Sequence, residues 1–131
     1  TDALEALNKP HERLTMEQST LSIYDITQWL NNHILPSKKT LVFAPNQWAL
    51  KSVYNALQSY ESVIPKQVGL LGFNNTDWTD LPVKSISTIV EPVYEEGYAA
   101  CKMLLKRIKD PSLEPDHKLL TCKLNWLKST I

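Results

Sequence analysis

The sequence predicts an α/β fold in which a mostly parallel sheet is flanked by helices. Apolar runs of strand length alternate along the chain with segments whose apolar residues recur at helical spacing. The run TLVFA (40–44) is apolar nearly throughout, which is typical of a strand covered on both faces, and VGLLGF (68–73) is a second apolar run. Because alternation of strands and helices is typical of parallel sheets, the sheet is expected to be largely parallel.

Length and charge narrow the possible functions. With 131 residues, the chain is long enough for one core. Its 14 Lys and Arg residues balance 14 Asp and Glu residues, so this chain alone is not expected to bind nucleic acid. No apolar run approaches the roughly 20 residues that a helix needs to cross a bilayer. The first residues of the sequence resemble neither a signal peptide nor the natural start of a protein. We expect a fragment of a cytoplasmic protein that makes no membrane contact.

The first half of the chain predicts helix, strand, helix, strand and helix. In residues 2–8 the apolar residues recur at helical spacing over a short segment, which predicts the end of a helix. In residues 13–18 apolar and polar residues alternate, which predicts a strand. Ser22 is the expected N-cap of the next helix, which Pro36 ends. After TLVFA, a second amphipathic helix starts near Gln47. Its inner stripe is Leu50, Val53, Leu57 and Tyr60.

The second half predicts two strands, a helix and a final strand. VGLLGF is followed by a polar loop and a strand at 85–90, and the best marked helix spans 92–109. Pro92 suits its first turn, with acidic residues near its start and basic residues near its end. Its expected buried stripe is Val93, Gly97, Cys101, Leu104 and Ile108. The alternation of residues 118–126 predicts a strand buried on one face, and Cys101 and Cys122 are expected as reduced core thiols.

Polar side chains follow the two apolar strands where each strand ends. Asn46 and Gln47 follow the first, and Asn74 and Asn75 follow Phe73 at the end of the second. In a parallel sheet, ligands bind beyond the carboxyl ends of the strands. An amide offers both a donor and an acceptor, so these amides suit a neutral polar ligand.

Structural roles compete with ligand binding at each of these positions. Asn46 directly precedes a helix, so capping that helix is its default role. Asn74 and Asn75 are also typical turn formers that tolerate a positive φ. Trp48 and Trp78 follow the strand ends at similar offsets, where they would stack on a sugar or base, anchor a subunit contact, or cover the core.

Catalytic and metal-binding patterns are absent from the sequence. The chain has three glycines and no nucleophile elbow, phosphate loop or dinucleotide turn. Its three histidines fall in no metal-ligand spacing. We therefore predict no enzymatic activity, no metal and no cofactor. A small α/β enzyme would have to rely on Asp77 or Asp80 without an assisting group, and this possibility ranks last.

Four segments together resemble the effector-binding domain of the lactose-repressor and galactose-repressor family of bacterial transcription regulators. LVFAPNQWALKSVYNAL resembles that family's strand, Asn-Asp and helix segment, and VIPKQVGLLGFNNTDW resembles its VP..V.(V/I)(V/I)G(F/Y)DD segment. SISTI with EPVYEEGYAACKMLLKRI resembles LTT(I/V).QP...G..A...LL..I, and LLTCKLNWLKST resembles the last strand, which usually ends LV.R.S. The match covers residues 40–130.

This resemblance implies a type I periplasmic-binding-protein-like fold, present here in part. Residues 1–90 would form the C-terminal subdomain, and residues 91–131 would cross over and return to the N-terminal subdomain. An effector would bind between the subdomains, where Asn46 and Asn74 stand at positions that contact it in relatives. At the same strand ends, the other expected contacts are Gln47, Trp48 and Phe73. Gln47 and Asn74 replace family aspartates, and Leu127 replaces a usual arginine, so strong acceptors for sugar hydroxyls are missing at these positions.

The resemblance also implies a function and a partner. The chain would sense a small polar effector, sugar-like or nucleoside-like, within a cytoplasmic homodimeric regulator that holds DNA through a domain absent from this chain. The expected dimer contacts are Lys51, Tyr54, Trp78, Leu81 and Pro82. The leading alternative is a secreted sugar-binding protein of a transport system with the same fold.

Overall fold

Four helices and four strands make up the described part of the chain. The computed structural model describes residues 2–15, 17, 22–58, 63–74, 79 and 85–131. The helices are α1 (Asp2–Ala6), α2 (Ile23–His33), α3 (Gln47–Ala56) and α4 (Val93–Lys109). The strands are β1 (Thr40–Ala44), β2 (Val68–Phe73), β3 (Ser87–Val90) and β4 (Lys123–Asn125). None of the helices in these ranges has the length and apolarity needed to cross a membrane.

The strands form one sheet in the order β1-β2-β3-β4. The first two pairs are parallel and the last is antiparallel, which confirms the predicted mostly parallel α/β fold. Ala44 lies opposite Gly72, and Gly72 lies opposite Thr88. Because of this register, the carboxyl ends of β1, β2 and β3 meet at one edge of the sheet.

The core lies between the sheet and the pair of helices α2 and α3. Ile26 and Leu30 of α2 are four residues apart, so they lie on one face of the helix, and both are buried. Ser22 caps α2 as predicted, with its side chain accepting a hydrogen bond from the Tyr24 N–H at 3.2 Å. Leu50 of α3 is completely buried over β2. The cluster also contains Ile34, Ala44, Ala56, Leu57, Ile64, Val68, Leu70 and Ile86.

The C-terminal segment is held between β2 and β3 by Ser129. Its backbone carbonyl accepts from the Leu70 N–H at 3.0 Å, and its hydroxyl donates to the Leu70 carbonyl at 2.6 Å. The same hydroxyl accepts from the Ser87 N–H at 2.8 Å. Ser129 thereby pairs backbone groups of both strands in a buried part of the sheet.

The predicted strand at 13–18 is not confirmed. Residues 13–15 and 17 have no regular secondary structure and are exposed, while residues 16 and 18 lie outside the described ranges. A strand requires a hydrogen-bonding neighbour. Among the described residues, β1 pairs with β2 alone. Within residues 13–15 and 17, the alternating sequence pattern therefore did not produce a strand.

The predicted burial of α4 and of the last strand is wrong for the described residues. Ala99 is the buried residue of α4, whereas Leu104 and Ile108 are at least 60% exposed. Cys101 and Cys122 are exposed, so they are not core thiols. β4 is shorter than predicted, and its neighbour Trp126 is half exposed. Periodicity identifies the apolar face of an element without identifying what covers that face.

We predict that Gly72→Ala destabilises the fold, with Gly97→Ala as the matched control. A Cβ at Gly72 would lie 2.5 Å from Cδ2 of the fully buried Leu50, so α3 would have to shift or repack, at a cost of about 1–3 kcal/mol. A Cβ at Gly97 meets no atom within 4 Å, and alanine there should raise helix stability by about 0.5–1 kcal/mol. Urea unfolding measures both changes, and equal midpoints for the two variants would contradict the prediction.

Candidate ligand-binding site

The candidate site lies at the sheet edge where β1, β2 and β3 end. Asn46 follows β1, Asn74 follows β2 and Glu91 follows β3. Helices α3 and α4 begin at the same edge, so their first N–H groups lie there as well. The strand register, rather than proximity in the sequence, is what brings these three polar side chains to one edge.

Asn46 caps helix α3. Its backbone is extended (φ −152°, ψ 163°), and its Oδ1 accepts a hydrogen bond from the Ala49 N–H at 2.8 Å. The capping role expected from the sequence is therefore confirmed. Nδ2 takes no part in this bond, and no group in the described ranges accepts a hydrogen bond from it. Asn46 is exposed, so the cap leaves an oriented amide donor at the edge.

Asn74 joins the ends of β2 and β3. Its φ of 67° confirms the turn-forming role, since asparagine tolerates this left-handed conformation. Its backbone N–H donates to the Ile89 carbonyl at 2.7 Å. Its side chain binds Glu91 twice: Nδ2 donates to Oε2 at 2.6 Å, and Oδ1 accepts from the Glu91 N–H at 3.2 Å. The amide predicted to contact a ligand is thus paired with a carboxylate.

Glu91 was not predicted as a site residue. The available signal was its position directly after the third strand and before Pro92, which is the same strand-end criterion that selected Asn46 and Asn74. Glu91 is half-buried, and it belongs to the edge through both its side chain and its backbone N–H. It supplies a carboxylate acceptor at the edge where Gln47 and Asn74 stand in place of family aspartates.

The remaining predicted residues differ in exposure. Gln47 is exposed, while Trp48 and Phe73 are half-buried at the same edge. On α3, Lys51 is exposed and Tyr54 packs against the core, where it lines a small cavity with Ile64, Leu70 and Ile86. The predicted residues that lie outside the described ranges are Asn75, Asp77, Trp78, Asp80, Leu81 and Pro82.

The chemistry of this edge suits recognition of a neutral polar molecule. It offers an amide donor at Asn46, an amide at Gln47, a carboxylate acceptor at Glu91 and aromatic surface at Trp48 and Phe73. Within the ranges that the structure describes, no group of three His, Cys, Asp or Glu side chains is placed to hold a metal ion. Apolar and aromatic surface with a few oriented polar groups is typical of small-molecule sites.

Comparison with known proteins finds a matching family model and relatives that are transcriptional regulators. The family model described as periplasmic binding protein-like domain matches residues 2–130. The transcriptional regulator KdgR of Bacillus subtilis is 28% identical over 95 residues, which are 72% of this chain and 28% of KdgR. The ribose operon repressor of Escherichia coli is 28% identical over 98 residues, which are 75% of this chain and 29% of the repressor.

A solved structure extends this similarity to the fold. The crystal structure of a LacI family transcriptional regulator from Enterococcus faecium with bound ribose superimposes with a TM-score of 0.68 at 29% identity. The match covers 98% of this chain and 48% of that regulator. This chain therefore spans about half of the related structure and under a third of the curated relatives. The resemblance to lactose-repressor family regulators is confirmed.

We predict that the cap at Asn46 stabilises α3 independently of any ligand. Asn46→Ala removes the acceptor for the Ala49 N–H and should lower the free energy of unfolding by about 1 kcal/mol. Asn46→Asp keeps a capping oxygen and should remain within about 0.5 kcal/mol of the wild type. Thermal or urea unfolding measures both, and an Asn46→Ala variant as stable as Asn46→Asp would contradict the capping role.

Proposed function

The chain belongs to the periplasmic binding protein-like domain family, and we propose that it is the ligand-sensing part of a DNA-binding transcriptional regulator. The effector is a small polar molecule, sugar-like or nucleoside-like. The observation that carries this proposal is the convergence of Asn46, Asn74 and Glu91 at the carboxyl edge of three parallel strands. Relatives that are transcriptional regulators support it over a secreted sugar-binding protein and over an enzyme.

We propose that residues 1–90 form the C-terminal subdomain and that residues 91–131 return to an N-terminal subdomain. The exposed apolar side of α4 and β4 supports this division. Leu104, Leu105, Ile108 and Leu124 are each more than half exposed, which is unusual for large aliphatic side chains on regular elements. The related structure is about twice as long as the match, so it contains a further body of chain that could cover this side.

The mechanism follows from a ligand held between two subdomains. A ligand that contacts both bodies binds one relative orientation better than others, and it shifts the population toward that orientation. In a cytoplasmic homodimer, the shift changes how two DNA-binding domains outside this chain are presented to DNA. The residues of this chain act by binding and orienting the effector, with no proton transfer or covalent step.

We predict that the full-length protein binds a neutral sugar or nucleoside and that Asn46→Asp weakens this binding. The substitution keeps the cap and replaces the Nδ2 donor by an acceptor, so the loss of one hydrogen bond should reduce affinity about 5–20-fold. Calorimetric titration with ribose, other neutral pentoses and hexoses, and nucleosides measures the affinity. The proposal fails if no member of the panel binds the wild type, and the assignment of Asn46 fails if the variant binds equally well.

We predict a homodimer whose interface includes Lys51, Tyr54, Trp78, Leu81 and Pro82. Lys51 is exposed on α3, so Lys51→Glu should weaken the dimer through charge reversal without disturbing the core. Lys39→Glu is the control, because Lys39 is exposed next to the opposite end of β1. Sedimentation velocity of the full-length protein over a concentration series measures both. A monomer at micromolar concentration, or equal dissociation constants for the two variants, would contradict the interface.

A further inference from the structure

A groove of about 300 Å³ lies at the amino edge of the sheet, where β1 and β2 begin. Lys38, Lys39 and Lys66 line it, and all three side chains are exposed. We call it the lysine groove. Because β1 and β2 contain five and six residues, they are about 16–20 Å long. The lysine groove is therefore separate from the candidate ligand-binding site, which lies at the carboxyl edge of the same strands.

Hydrogen bonds join the two segments that form the walls of the lysine groove. One wall is the turn between α2 and β1, and the other is the turn before β2. Nε2 of Gln67 donates to the Leu35 carbonyl at 3.0 Å, and the Thr40 N–H donates to the Gln67 carbonyl at 2.9 Å. The Lys38 N–H also donates to the Leu35 carbonyl, at 3.0 Å. The backbone that carries the lysines is therefore held in place without a ligand.

The positive charges of the lysine groove are not neutralised by the part of the chain that the structure describes. The ion pair found there joins His11 to Glu5, and none of the described Asp or Glu residues lines the groove. Ammonium groups that share one small groove repel one another, and an anion among them lowers the electrostatic free energy. Lysine is also a common ligand of phosphate groups in proteins.

Structural roles explain this arrangement less well than binding does. A lysine can stabilise the C-terminus of a helix, but that effect is confined to the last turn. Helix α2 ends at His33, before Lys38 and Lys39. A lysine on a strand can oppose edge-to-edge aggregation, but all three lysines precede their strands. Neither role requires lysines from two separate segments to line the same concave surface.

We propose that the lysine groove binds a small compound that carries a phosphate or diphosphate group. Its volume of about 300 Å³ is at the lower end of the range for small-molecule sites. A stable protein partner would instead need roughly 800 Å² of surface on each side. Pro36 and Val63 add apolar surface, against which the organic part of a phosphate ester can pack. This site is distinct from the effector site and does not rest on the proposed function.

The first test is calorimetric titration of the full-length protein with pyrophosphate and with inorganic phosphate, in a buffer without divalent cations. The wild type should bind pyrophosphate with a Kd of about 0.1–1 mM at low salt, since each exposed charge pair contributes little by itself. Added sodium chloride should weaken the binding, because salt screens exposed charges. Absence of binding of either anion up to about 10 mM would overturn the proposal.

Charge-removing variants test whether the groove lysines hold the anion. Lys38→Gln and Lys66→Gln should each weaken pyrophosphate binding about 2–5-fold, and the double variant should weaken it about 10-fold. Lys118→Gln is the matched control, because Lys118 is an exposed lysine between α4 and β4 and its replacement removes the same charge. The control should keep the wild-type affinity. If Lys118→Gln and Lys66→Gln have equal effects, the binding is unspecific and the proposal is wrong.

Lysine footprinting locates the bound anion on the full-length protein. Reductive methylation read by mass spectrometry should show that pyrophosphate protects Lys38, Lys39 and Lys66 but not Lys118. Equal protection of all four lysines, or none in the groove, would contradict the proposal.

Two further measurements separate this proposal from its alternatives. A decaglutamate peptide that protects the groove lysines where pyrophosphate does not would identify an acidic protein partner and rule out the phosphate ligand. Lys39→Glu, the control for dimerisation above, should lose pyrophosphate binding and keep the wild-type dimer. Wild-type affinity of Lys39→Glu for pyrophosphate would overturn the site, whatever the outcome of the sugar titrations.

Discussion

The central strand β2 is the element on which the rest of this structure depends. It pairs with β1 along one side and with β3 along the other, and Ser129 supplies partners for the Leu70 N–H and carbonyl next to the stretch that pairs with β3. Gly72 lets Leu50 pack closely on the same strand. Because β2 is fixed on both sides and under α3, its carboxyl end is a rigid point from which polar side chains can be presented.

This rigidity explains how three separate stretches of sequence form one site. The strands β1, β2 and β3 end at the same edge. A different local structure follows each of them: a helix cap at Asn46, a left-handed turn at Asn74 and the start of α4 after Glu91. A polar side chain that is already held by hydrogen bonds to the backbone loses little conformational entropy when a ligand binds. The structural roles of these residues are therefore compatible with the proposed ligand-binding roles.

The apolar side chains of α4 and β4 are exposed, unlike those of the core between the sheet, α2 and α3. The core closes within the described residues, whereas α4 presents its large aliphatic side chains to solvent. The related structure is about twice as long as this chain. This distribution agrees with the proposal that α4 crosses from one subdomain to another.

The sequence by itself determined the order and type of most elements. The bounds of β1 and β2, the start of α2 at Ser22 and the cap at Asn46 follow from local rules of periodicity, capping and strand composition, which depend on neighbours within a few residues. It did not determine whether residues 13–18 form a strand or whether the stripe of α4 is buried, because both depend on a partner distant in sequence. Only the tertiary structure showed that Glu91 pairs with Asn74, because this contact joins residues seventeen positions apart through the register of β2 and β3.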